Sequence, residues 1–105
     1  GTSFVSNPRL AGTLAPALLG PDAARYETPR LFTARGLATK LADAYVVQLT
    51  SNYAAAGFLQ AGTRTVKTST ETWTRTDFTN DEGRAMVLFV SKRTDGVYFL
   101  TAAGR

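Results

Sequence analysis

Residues 85–90, AMVLFV, are apolar at six successive positions. Neighbouring side chains of a strand point to opposite faces, so a strand apolar at every position buries both of them. The run therefore predicts a central strand covered on both sides, and the rest of the chain has to supply the cover. Punctuation around it supports the assignment. FTNDEGR before the run reads as a turn, and KRTDGVY after it reads as a hairpin with Asp95-Gly96 at the position of positive φ. VYFLTA then forms the last strand.

Upstream of residue 63 the apolar period is different. Leu37, Leu41, Tyr45, Leu49 and Tyr53 recur every four residues, with Ala38, Ala42 and Gln48 adjoining them, which predicts an amphipathic helix over residues 34–56. Lys40, Asp43, Val47, Thr50 and Ser51 fall mostly off that stripe. Thr33 is the expected N-cap, and Gly57 or Gly62 the expected stop. Tyr45 and Tyr53 read as core residues whose hydroxyls reach the rim.

Between helix and central strand, TVKTSTETWTRTDF alternates strictly. Lys67, Ser69, Glu71, Trp73, Arg75 and Asp77 take one side, while Val66, Thr68, Thr70, Thr72, Thr74, Thr76 and Phe78 take the other. Threonine suits a pleated surface that meets water. A bulge within this strand is expected to swap the faces and bring Val66 and Trp73 inward together. Residues 1–33 hold all four prolines and read as a short edge strand, TSFVS, followed by a long surface connection with at most a turn of helix. Leu14, Leu18 and Leu19 tuck that connection down. The expected fold is thus α+β, an antiparallel β-meander over residues 63–103 with a central amphipathic helix packed on it, in a single domain spanning 1–105.

Composition removes whole classes of chemistry. The 105 residues contain no cysteine and no histidine. Disulfides, thiolate metal sites and thiol catalysis are excluded, together with Ser-His triads and histidine-ligated zinc. Asp77, Asp81 and Glu82, with Asn80 among them, lack the spacing of an EF-hand loop and read as turn residues. No metal, cofactor or catalytic residue is expected. Nine arginines and three lysines against eight acids leave a net charge of +4. Such an excess favours acidic partners. The cations are dispersed, with no run of four, so nucleic acid is not the expected partner. No apolar stretch approaches the roughly 20 residues needed to span a bilayer. The candidate partner-binding residues are Arg25, Arg30, Arg35 and Lys40 in the connection and first helical turns, with Lys92 and Arg93 at the last hairpin. Cations at a helix start oppose the macrodipole, which hints at a role other than stability.

WTRTDFTNDEGRAMVLFVSKRTDGVYFLTAAGR resembles the C-terminal half of the PsbP family, the extrinsic lumenal proteins of photosystem II. The matching parts are Thr74-Arg75-Thr76, Asp81-Glu82-Gly83, AMVLFV, Asp95-Gly96, VYFL and TAAG. Upstream, SFVSNP is similar to that family's first strand, and YETPRLFTARGLATKLADAYV to its entry into the central helix. The threonine run stands where the family has a Gly-rich turn between two strands. The resemblance implies a central antiparallel sheet with helices on its faces, an α-β-α sandwich. It also implies a non-enzymatic subunit in the thylakoid lumen, peripheral to the membrane, that docks on membrane-complex subunits with acidic lumenal loops. There it supports the oxygen-evolving centre or its assembly. Its targeting peptide is expected to have been removed. Binding of that kind is sensitive to salt.

Two other readings carry their own marks. An NTF2-like or cystatin-like cone requires a small-molecule cavity lined by Tyr45, Trp73 and Phe89. A pilin-like secretion-system head requires a long apolar helix upstream.

Overall fold

The computed structural model describes residues 3–35 and 39–105. Its elements in chain order are β1 (Ser3–Ser6), α1 (Pro8–Leu19), a 3-10 segment (Gly20–Arg25), β2 (Tyr26–Arg35), α2 (Thr39–Ala55), β3 (Leu59–Lys67), β4 (Thr72–Thr79), β5 (Ala85–Arg93) and β6 (Gly96–Gly104). All six strands form one antiparallel sheet in the order β1-β2-β6-β5-β4-β3. The AMVLFV run lies in β5, between β6 and β4, and its last four residues Val87–Val90 are all buried.

Alternation along β5 divides the core in two. Val87 and Phe89 join Leu31, Trp73 and Leu100 beneath Ala11, Ala15, Leu18 and Leu19 of α1. Leu88 and Val90 join Ala34, Phe78, Val97 and Phe99 beneath Ala42, Tyr45, Val46, Leu49 and Tyr53 of α2. The helices therefore cover opposite faces, and the chain is an α-β-α sandwich of the α+β class. Each large side chain so enclosed contributes about 1.5–3 kcal/mol of transfer free energy, and the inner strands supply most of them.

The first third of the chain departs from the sequence-based expectation. Residues 8–19 are a helix of three turns, not a connection. Pro8 occupies the first turn, where its missing N–H has no intrahelical partner to lose. Asn7 caps that turn by accepting a hydrogen bond from the Leu10 N–H at 3.1 Å. Pro16 lies inside the helix on its exposed side, and the helix ends at Gly20, whose φ is +57° and whose N–H bonds the Pro16 carbonyl. Ala11, Ala15, Leu18 and Leu19 make the buried stripe. Residues 26–35 are likewise a strand. Pro29 is admitted because the pairing of β2 with β6 breaks between Glu27 and Arg30, and because β1 pairs only with Phe32–Arg35 on the other side. Thr28 takes a φ of +53° within that break.

The expected helix over 34–56 is shorter at its start. Thr33 and Ala34 belong to β2, so Thr33 is no cap, and Leu37 and Ala38 lie outside the described residues. Leu41 and Gln48 are exposed; Ala42 faces the core as expected, and Val46 joins it there. Gly57, at φ +92°, is the stop; Gly62 sits in β3.

The threonine run is a hairpin rather than one strand. The chain reverses at Thr68–Glu71, where the Thr68 N–H donates to the Glu71 carbonyl at 2.9 Å and the Glu71 N–H to the Thr68 hydroxyl at 3.1 Å. Val66 and Trp73 are register partners across it. They share a face through pairing, without the bulge within the run that alternation had called for. A register shift does occur in β3, between Gln60 and Gly62. The β5–β6 hairpin turns at Asp95-Gly96 as expected. A Cβ on Gly96 would lie 2.5 Å from the Ala34 carbonyl oxygen, so the close approach of β2 to this turn demands glycine.

Tyr53 packs edge-on against Phe78, with ring centroids 5.1 Å apart. Burial, and secondarily the nearby Tyr45, raise its phenol above the ordinary pKa of 10.0. The unfolded chain then loses this proton first as pH rises, so the folded state holds more protons above about pH 10 and stability falls there. Below pH 10 the contribution is fully retained. Tyr53→Phe is expected to leave the urea midpoint at pH 8 nearly unchanged and to flatten its decline between pH 10 and 11. An equally steep decline in the variant would assign that limb to other groups.

Candidate functional site

On the α1 side of β4 stand Trp73, Arg75 and Asp77, with Arg64 of β3 directly opposite Arg75. Two like charges facing each other across a ladder repel. The fold offsets this with Asp22, carried in from the 3-10 segment that follows α1. Arg75 Nη1 forms an ion pair with Asp22 at 3.1 Å, while Nε and Nη2 donate to Asp77 at 3.1 and 3.0 Å. Arg64 reaches the same Asp22 oxygen at 3.5 Å, and Arg25 lies 4.0 Å from its other oxygen. Only 4% of the Arg75 side chain is exposed, against 59% for Arg64 and 81% for Arg25. The guanidinium of Arg75 also lies 5.7 Å from the Phe89 ring centroid and 5.9 Å from that of Tyr26.

Burial alone would lower the pKa of Arg75. Hydrogen bonds that Asp77 accepts and its charge, with a further contribution from Asp22, outweigh it and raise the pKa above its ordinary value. The guanidinium is thus held charged. Around it opens a cleft of about 400 Å³, bordered by Asp22, Tyr26, Gly62 and the two exposed arginines. Counting Arg25, Arg64 and Arg75 against Asp22 and Asp77, the cluster carries one surplus positive charge. Arg75 is a fixed strut; Arg64 and Arg25 face solvent with long, weak contacts and can re-pair with an incoming anion.

At the other end of the sheet a second cluster surrounds the β5–β6 hairpin. Arg93 pairs with Glu71 and lies 3.8 Å from the ring centroid of Tyr98 and 5.4 Å from that of Trp73. The Trp73 indole N–H donates to Glu71 at 3.0 Å. Lys92 pairs with Asp43 of α2.

The six candidate residues divide between these ends. Arg35 and Arg93 are both register partners of Gly96, and Lys92 pairs with Val97, so these three converge at the hairpin. Lys40 is in the first turn of α2, and its side chain lies outside the described residues. Arg30 is exposed midway along β2, opposite Thr101. Arg25 precedes β2, roughly 30 Å of strand away from Arg35. They do not form one face. The Tyr45–Trp73–Phe89 cavity that an NTF2-like or cystatin-like cone requires does not form: the sheet separates Tyr45, under α2, from Trp73 and Phe89, under α1. Asp77 turns to Arg75, whereas Asp81 and Glu82 are exposed in a turn closed by Asn80, which accepts from the Glu82 and Arg84 N–H groups. Among the described residues no group of three acids is placed to hold a metal ion. Nor is any helix among them long and apolar enough to cross a membrane.

Sequence reasoning left out Arg64 and Asp22. The shared parity of Arg75 and Asp77 was a usable signal for their pairing. Nothing local connects Asp22 to them.

No protein-family model matches the chain, and neither a curated protein nor a solved structure matches it.

Proposed function

We propose that the chain is a non-catalytic docking module whose basic surface binds an acidic protein partner. The observation that carries this reading is the convergence of Arg35, Lys92 and Arg93 at one end of the sheet, from β2 and β5, with α2 beginning a few residues beyond Arg35. Among the described residues Arg35 has no carboxylate within ion-pair distance, so its charge is available to a partner. A sequence without histidine or cysteine also fits binding better than acid–base or thiol chemistry. Following the PsbP resemblance, the partner is the lumenal side of photosystem II and its acidic loops, and the role is support of the oxygen-evolving centre or its assembly.

Rebinding to salt-washed photosystem II membranes tests this directly. Saturable binding that weakens as ionic strength rises is the expected result. The double variant Arg35→Glu, Lys92→Glu is expected to bind at least about tenfold more weakly. Binding to the membranes that ignores both salt and the two substitutions would defeat the docking surface. No binding at low salt would defeat the photosynthetic partner.

A further inference from the structure

The outer edge of β3 is the longest unpaired backbone in the sheet. Eight of the nine residues of Leu59–Lys67 pair with β4 on one side, Ala61 falling in a register shift, and among the described residues no strand lies on the other. Edge strands of this length invite another chain, and proteins protect them with charges, bulges or cover. This edge has a register shift confined to Gln60–Gly62, which leaves Thr63–Lys67 regular. Every residue of that stretch is exposed except Val66, which is half-buried.

We propose that β3 is a strand-addition site, at which an extended acidic segment of a partner protein pairs as a seventh strand. The charges select the occupant. Arg64 points to the α1 side, next to Arg25 and the surplus positive charge of the Asp22–Arg75 cleft, while Lys67 marks the end of the strand. Pairing with a second copy of β3, antiparallel about Thr65, would bring the two Arg64 side chains to diagonal positions about 7–8 Å apart on one face. A strand carrying Glu or Asp opposite Arg64 meets attraction there instead. The same residues that discourage self-pairing thus favour an acidic partner.

The opposite face supplies the apolar part. Thr63 and Thr65 of β3 lie on the α2 side, where a shallow groove of about 540 Å³ runs between β3–β4 and the exposed flank of α2. Val47 stands on that flank with 69% of its surface exposed. An added strand would place alternate side chains over this groove and Val47, so the segment it fits alternates acidic with small apolar positions. Backbone hydrogen bonds provide affinity and the alternating side chains provide selection. This site is separate from the hairpin docking surface, and it goes beyond the proposed function.

The test uses the whole chain and a fluorescein-labelled nonapeptide alternating Glu with Val and Thr, read by fluorescence anisotropy and by backbone amide shifts. Saturable binding is expected, with the largest shifts at Thr63–Lys67. A peptide with proline at its centre lacks a strand N–H, and one with Lys for Glu reverses the charge; each should bind at least about tenfold more weakly. Arg64→Glu should weaken binding about tenfold, whereas Arg9→Glu, an exposed change on α1, should not. The Arg35→Glu, Lys92→Glu variant should bind the peptide normally, which separates this site from membrane docking. Equal binding of the proline or lysine peptide, an unaffected Arg64→Glu variant, or shifts centred on the β5–β6 hairpin would overturn the proposal. So would the absence of saturable binding, or a dimer paired through β3 in sedimentation and amide-exchange measurements.

Discussion

Replacing Arg75 by alanine is expected to lower stability by about 3 kcal/mol, the lower end of what removal of one partner from a buried ion pair costs. The physical reason is the loss of two hydrogen bonds, of the ion pair with Asp22 and of packing between two aromatic rings, while Asp22 and Asp77 remain held near each other. Both carboxylates keep more than a quarter of their side-chain surface in water, which keeps the loss from being larger. In a domain of about 100 residues that loss lowers Tm by roughly 12–20 °C. Arg75→Met separates charge from packing. Methionine refills the space beside Phe89 and Tyr26, and the carboxylates can turn to solvent, so its cost is expected near about 1 kcal/mol. Urea unfolding of the two variants measures both. An alanine variant within 1 kcal/mol of the parent would show that Asp22 and Asp77 gain nothing from the arginine. The raised pKa of Arg75 keeps its contribution present at all pH values below the ordinary arginine range, and alkali beyond that range removes it.

Trp73→Ala is expected to be the most damaging single change, at about 3–5 kcal/mol. Trp73 is completely buried in the α1-side cluster, paired across the ladder with Val66 and hydrogen-bonded to Glu71. Its loss empties the contact between the β3–β4 hairpin and α1, and it strips Arg93 of one of its two aromatic neighbours. Trp73→Phe should cost less, because most of the volume returns and only the indole N–H is forfeited. Circular dichroism is the readout for the alanine variant, since Trp73 is the only tryptophan in the chain. In the parent its emission should be blue-shifted when folded and move to the red on unfolding, cooperatively with the loss of circular dichroism. A native emission already typical of water would place the indole outside the core and defeat the packing described for β4.

Of the fold, the parts governed by side-chain period were legible. AMVLFV had to be an inner strand because no one-sided sheet buries both of its faces. Asp95-Gly96 had to be a turn, and the Tyr45–Leu49–Tyr53 spacing had to be a helix. Three elements escaped for distinct reasons. Pro8 and Pro16 obscured α1, although Asn7 and Pro8 together are a favourable helix start. Pro29 obscured β2, since a break in pairing that tolerates proline leaves no mark in the sequence. The turn at Thr68–Glu71 contains no glycine, proline, asparagine or aspartate, and threonine hydrogen bonds close it. An alternating run with such a turn in its middle reads as one strand.

By itself the sequence determined what depends on neighbours along the chain: the two-sided strand, the amphipathic helix, the final hairpin, the surplus of positive charge, and the absence of histidine and cysteine chemistry. The tertiary structure decided what depends on distance through space. It placed α1 and α2 on opposite faces, so that Tyr45 and Trp73 never share a cavity. It brought Asp22 to Arg64 and Arg75 across forty or more residues of chain. It gathered Arg35, Lys92 and Arg93 at one end of the sheet and left Arg25 at the other. Each of these outcomes follows from strand order, and strand order is chosen by the total burial of both faces, a quantity no local pattern contains.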